Sequence, residues 1–278
     1  MHTGPGPRGR STPVDDATRG LRFPPMTVEL ALTPDSRWGL DAPQLVTAAR
    51  DAGFSAVGLG VRQADEVAAA SLVANGVRCH EVLALVLGAD EAENLHHAQA
   101  LCEAADAVRA EWVLTTFRVP FTSGSASMVA RCAAMFSEVG ARMAAEFSPF
   151  GTVTSVPAAL AVVDAAGTDR AGVLIDAWHF FRGDSTWGDL EVVPLDRIAY
   201  VQFDDAPEPV SDDLLHETMN RRVMPGDGSF ELERFASTLL ARGWQGLVSV
   251  EVLSSDLGRL PPSEFARRAC EATDRYWR

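Results

Sequence analysis

From Met26 onward, short runs that are apolar almost throughout alternate with longer stretches whose apolar residues recur at helical spacing. TVELAL precedes APQLVTAARDAG, SAVGLG precedes ADEVAAASLVANG, and VRCHEVLALVL precedes EAENLHHAQALCEAADAVRA. The unit repeats as EWVLTTF with SASMVARCAAMFSEVG, RMAAEF with VPAALAVVDAAG, and GVLIDAW with the weaker TWGDLEVV. IAYVQF then leads through a long loop into FELERFASTLLARG, and GLVSVEVL into PSEFARRACEATDRYW. The pattern predicts eight strands and eight helical segments. Gly53, Gly76, Gly140, Gly167 and Gly243 follow alanine-rich helical faces, where a left-handed residue stops a helix. Strands without a polar face are buried on both sides, as in a parallel sheet covered by helices. Eight such units predict a (β/α)8 TIM barrel, a single α/β domain. A doubly wound sheet is the alternative, but no GxGxxG follows the first strand.

The expected organisation is a disordered N-terminal extension over residues 1–25 and a barrel over residues 26–278. The extension is rich in Gly, Pro and Arg and lacks the apolar core of a secretory signal. Met26 is an alternative start of translation.

A chain of 278 residues fits one barrel domain, and 47% hydrophobic residues supply a large core. The formal net charge of -14 opposes binding to a nucleic-acid backbone. All 24 basic residues are arginine. The lack of lysine removes Schiff-base chemistry, lysine-anchored pyridoxal phosphate and the phosphate-loop lysine. Four scattered cysteines without a CxxC pair argue against structural zinc and a disulfide framework, which favours a reducing cytoplasm. No apolar run approaches the roughly 18 residues of a membrane span.

In such a barrel the active site lies at the C-terminal ends of the strands. Strand five ends in Glu146, strand six in Asp176 with His179 beyond it, strand seven carries Gln202 before Asp204 and Asp205, and strand eight ends in Glu251. Taken singly, each reads as a cap or an arginine partner. Together, Glu146, Asp176, Gln202 and Glu251 are oxygen-bearing side chains at matching places on four neighbouring strands. Burying them requires a compensating cation. Three carboxylates and an amide make a hard oxygen site that suits Mn2+ or Mg2+, with Co2+ or Zn2+ less favoured without a histidine ligand.

The stretch RRVMPGDGSF marks a tight turn before a helix, and places Arg222 within reach of the barrel mouth or in a surface salt bridge. In strand three, alternation requires one of His80 and Glu81 to point into the barrel. His96, His97 and His216 are expected in solvent.

In their order, AAEFSPF, GVLIDAWHFFR, AYVQFDDAP, RRVMPGDGSF and VSVEVLS resemble the sugar phosphate isomerase/epimerase family of xylose isomerase-like barrels. The resemblance covers roughly Met26 to the C-terminus. It implies a metal held by Glu146, Asp176, Gln202 and Glu251, substrate contacts from His179 and Arg222, and proton transfer by Glu146 and Glu251. Many members carry His where this chain has Gln202. Gln-bearing sites are similar to those of dehydratases in the superfamily that act on cyclic ketones.

A divalent ion acidifies the C–H beside a carbonyl by stabilising an enediolate, and a carboxylate removes the proton. Return of the proton is epimerisation or isomerisation, and loss of a β-hydroxyl is dehydration. The leading expectation is an isomerase or epimerase of a keto-sugar or related polyol. The alternative is a dehydratase of a 3-dehydroshikimate-like or inosose-like ring. An AP-endonuclease-like hydrolase ranks lower, because such enzymes use more histidines and a basic groove. The expected partner is a small molecule, with no nucleic acid and no membrane. Related barrels often form homo-oligomers, of which the sequence carries no direct sign. No arginine cluster is evident in the sequence, which favours an unphosphorylated substrate.

Overall fold

The structure is a computed structural model that describes residues 1–2 and 28–278. Most of the expected N-terminal extension, with Met26, lies outside the described residues. Eight parallel strands close in sequence order into a barrel: β1 (Glu29–Leu32), β2 (Ala56–Gly60), β3 (Arg78–Leu87), β4 (Trp112–Phe117), β5 (Arg142–Glu146), β6 (Ala171–Asp176), β7 (Ile198–Phe203) and β8 (Leu247–Val250). The expected (β/α)8 barrel is thus the observed fold.

The helices begin where the sequence supplies a side-chain acceptor. Asp41, Asp65 and Ser155 each accept a hydrogen bond from an N–H in the first turn of α1 (Ala42–Ala52), α2 (Glu66–Asn75) and α5 (Val156–Ala166). Asp90 does the same for α3 (Glu91–Val108). α4 spans Ser123–Glu138. All five glycines expected to end helices have positive φ, but Gly167 has ψ 125°, outside the left-handed helical region.

Two departures from the expected elements matter for the site. The segment directly after β6 is a short helix, α6 (Ala177–Arg182), ahead of the expected α7 (Trp187–Val192). The long loop after β7 contains α8 (Leu214–Asn220), so His216 lies on a helix, and it is exposed there. His96 and His97 are exposed on α3, as expected. α9 (Leu232–Ala241) and α10 (Pro262–Trp277) complete the outer ring.

Two apolar cores result. The larger lies between helices and strands, and the smaller fills the barrel with Ala31, Ala56, Trp112, Ala144, Leu174 and Tyr200 among others. Above this inner plug the barrel turns polar, which places the chemistry at the C-terminal end of the strands. Among the described residues, no helix is long and apolar enough to cross a membrane.

Candidate active site

Each candidate side chain arrives from the end of a buried strand. Glu146 closes β5, Asp176 closes β6, Gln202 lies in β7 opposite Asp176, and Glu251 directly follows β8. Asp176 and Gln202 are fully buried, and Glu146 and Glu251 nearly so. Glu146, Glu251, His179 and Arg222 line a cavity of about 1090 Å3 at this end of the barrel. Phe150, exposed on its wall, packs edge-on against His179 at 5.5 Å between ring centroids.

Asp176 has two tasks. Its Oδ1 caps α6 by accepting the His179 N–H at 2.9 Å, which fixes His179 on the first turn. Its Oδ2 accepts from Arg222 Nη1 at 2.8 Å. His179 Nε2 comes within 3.6 Å of Glu146 Oε1, and Glu146, Asp176 and His179 each offer a ligand atom within 4.8 Å of the others. The imidazole therefore stands among the carboxylates as well as at the cavity wall. That supplies the histidine nitrogen whose absence counted against zinc in the sequence.

Arg222 overturns the surface salt bridge expected for a lone arginine. It is 1% exposed, and Nη1 also donates to Asp204 and, at 3.4 Å, to Glu251 Oε2. Thr218 Oγ1 accepts from Nε at 3.1 Å and from Nη2 at 2.9 Å. Asp204, fully buried, was visible in the sequence as part of YVQFDD but carried no sign that it would anchor Arg222 across the loop. Its neighbour Asp205 organises the same loop: its carboxylate accepts from the backbone N–H groups of Ala206, Gly226, Gly228 and Phe230 at 2.8–3.1 Å.

One guanidinium cannot neutralise this many carboxylates. Burial raises the pKa of Glu146 well above the usual range, and Asp176 and Glu251 raise it further. Burial likewise pushes Glu251 up to about 8, against the opposing effect of Arg222. Asp204 is raised by burial and by the nearby acids despite Arg222. Burial also acts to raise Asp176, but Arg222 and His179 outweigh it and hold the carboxyl below its ordinary value. Burial lowers His179 to about 4, so the imidazole is neutral at pH 7.

This excess of buried negative charge fits a divalent cation. The end of the Gln202 amide lies 3.1 Å from Asp176 Oδ2 and 3.3 Å from Glu146 Oε1. With nitrogen turned inward it donates to both carboxylates. With oxygen turned inward, the amide oxygen faces a carboxylate oxygen of Asp176 and one of Glu146, and the three would be hard donors to a divalent ion. The donors present therefore suit the expected ion in charge and in donor type.

Below the carboxylates lies a buried polar layer. Thr33 Oγ1 donates to Glu81 Oε1 at 2.5 Å and lies 3.1 Å from His80 Nε2 and 2.8 Å from Ser249 Oγ, while Tyr200 donates to Glu81 Oε2. Strict alternation would turn one of His80 and Glu81 inward, and here both meet Thr33. Val57 pairs with Cys79 but Gly58 pairs with Glu81, so His80 is bulged and the alternation is broken. Glycine at position 58 makes room: a Cβ there would meet Thr33 Oγ1 at 2.3 Å and Glu81 Oε1 at 2.8 Å.

Residues 46–276 match the family described as xylose isomerase-like TIM barrel. The inosose isomerase of Halalkalibacterium halodurans is 32% identical over 137 residues, 48% of this chain and 47% of that protein. The 3-dehydroshikimate dehydratase of Pseudomonas aeruginosa is 29% identical over 100 residues, 36% of this chain and 16% of that protein. The chain spans about half the length of the inosose isomerase it matches and less of the dehydratase. Among solved structures, the IOLI protein with a binding zinc atom has a TM-score of 0.75 at 18% identity, covering 90% of this chain and 99% of that one. A D-allulose 3-epimerase from Methylomonas sp. has a TM-score of 0.70 at 14% identity, with 90% and 98% covered. At these identities the structural likeness speaks for the fold alone.

Proposed function

The chain belongs to the xylose isomerase-like TIM barrel family, and from that premise we propose that it is a divalent-metal-dependent isomerase or epimerase of a keto-sugar or related polyol. The observation that carries the reading is the pair Glu146 and Glu251, two nearly buried carboxyls with raised pKa values on the wall of one cavity. Such groups suit proton transfer near neutral pH. The match to inosose isomerases supports a ring polyol ketone as the substrate type.

Glu146, Asp176, Gln202 and Glu251 would hold the ion, with Mn2+ or Mg2+ suited to the oxygen donors and Zn2+ or Co2+ brought closer by His179. When bound, it stabilises negative charge developing on a substrate oxygen. One glutamate takes the proton from the carbon beside the carbonyl, and the other returns a proton. Neutral His179 offers a ring nitrogen to a substrate oxygen, and Arg222, fixed by Asp204 and Thr218, presents positive charge at the cavity wall. Phe150 gives the apolar face of a ring a surface to lie on.

A second reading, dehydration of a 3-dehydroshikimate-like or inosose-like ring, is favoured by Gln202 and by the match to 3-dehydroshikimate dehydratase. Incubating Mn2+-loaded protein with a panel of ketoses and inososes in D2O separates the two. Deuterium beside the carbonyl without water loss supports the isomerase or epimerase, and a conjugated, ultraviolet-absorbing product supports the dehydratase. Glu146→Gln or Glu251→Gln should slow either reaction by about 100-fold or more. Full activity in both variants sinks the assignment of the acid/base pair.

A further inference from the structure

In so acidic a protein almost every described arginine has a partner: carboxylates for Arg50, Arg78, Arg131 and Arg197, backbone carbonyls for Arg182 and Arg242, and an indole face for Arg142. Among the described residues, the side chains of Arg62, Arg109 and Arg118 have no hydrogen bond, ion pair or ring contact. Arg109 is the C-cap of α3, away from the cavity. Arg62 and Arg118 line the same cavity as Glu146 and Glu251.

Their placement follows from the topology. Arg62 lies just beyond β2 and Arg118 just beyond β4, the two neighbours of β3, whose Leu83 and Val86 form apolar cavity wall between them. Both arginines are exposed, so their charge is available at the mouth. The floor is rich in carboxylates and the chain carries a net charge of -14, a field that repels anions from the interior. The lining also carries Asp35, Asp41 and Asp65, but Arg37 is paired with Asp35 and Arg222 with Asp176 and Asp204, so Arg62 and Arg118 are the arginines of this lining without a carboxylate partner among the described residues. They offer the planar donor pairs that carboxylate and phosphate groups accept.

We propose that Arg62 and Arg118 form a subsite for an anionic group of the substrate, a carboxylate or a phosphate, while the uncharged oxygens of the same molecule face the carboxylate floor. The subsite rests on the reading of this cavity as the substrate site, and within that reading it favours an acidic substrate over a neutral polyol. It also supplies the cationic pair that the sequence did not reveal, since the two arginines are far apart in the chain and come to line one cavity only through the barrel.

Two matched pairs test it by calorimetric titration of Mn2+-loaded protein: catechol against 3,4-dihydroxybenzoate, and D-fructose against D-fructose 6-phosphate. The anion should tighten binding about tenfold in one pair. The pair that responds tells carboxylate from phosphate. The advantage should fall with added salt and vanish in Arg62→Gln/Arg118→Gln, with neutral binding unchanged, and should survive in Arg109→Gln. Equal affinity within both pairs, or an advantage retained in the double variant, overturns the subsite. Neutral probes that bind without any anion advantage defeat the subsite alone. If no probe binds, the reading of the cavity as the substrate site falls with it.

Discussion

Above about pH 7 the Glu81 carboxyl ionises inside the barrel, where none of it is exposed. Burial raises its pKa from 4.5 to about 7, against the hydrogen bonds from Thr33, Tyr200 and Gln202 that favour the charged form. Between these values the folded protein keeps a proton that the unfolded chain has released. The stabilising effect of that proton is fully present below pH 4.5 and is lost as pH rises through about 7. At about 1.4 kcal/mol for each pH unit, the window amounts to about 3 kcal/mol. Glu81→Gln mimics the protonated acid, since an amide also presents one acceptor and one donor to Thr33 and Tyr200, and it cannot ionise. Urea unfolding followed by tryptophan fluorescence, in EDTA at pH 4.5 and pH 8, reads the difference. Wild type should lose about 3 kcal/mol more than the variant between the two pH values. Glu81 also raises the pKa values of Glu146, Glu251 and Tyr200, so the difference between the two proteins includes the relief of those neighbours. The same pH dependence in the two proteins would refute the account of Glu81 as a buried acid at the centre of the polar layer.

Gly58→Ala should destabilise the fold by about 1–3 kcal/mol in the same urea assay, because the added Cβ would press on Thr33 Oγ1 and Glu81 Oε1; a neutral result would mean the polar layer yields easily. Asp205→Ala removes the acceptor of four backbone N–H groups and should cost about 2–4 kcal/mol. It should also weaken ligand binding, because the same loop carries Arg222; wild-type stability and affinity together would contradict that role.

The sequence determined the fold and the strand ends. Eight apolar runs separated by helical periodicity admit little besides a closed parallel barrel, and the run lengths located Glu146, Asp176, Gln202 and Glu251 at the C-terminal ends. That much is local, because strand period and helix period are written in neighbouring residues. The sequence could not show what each side chain meets across the barrel. The pairing of Arg222 with Asp204 depends on how the β7–α9 loop folds back, and Asp205 sets that loop through backbone N–H groups that no residue pattern displays. The bulge at His80 arises where Gly58 of the neighbouring strand leaves room, so alternation along β3 alone predicts the wrong facing. Arg62 and Arg118 are separated by two strands and two helices in the chain, and only closure of the barrel brings them to one cavity wall. Periodicity reports which residues are buried, whereas electrostatic partnership depends on distances across the barrel that only the tertiary structure sets.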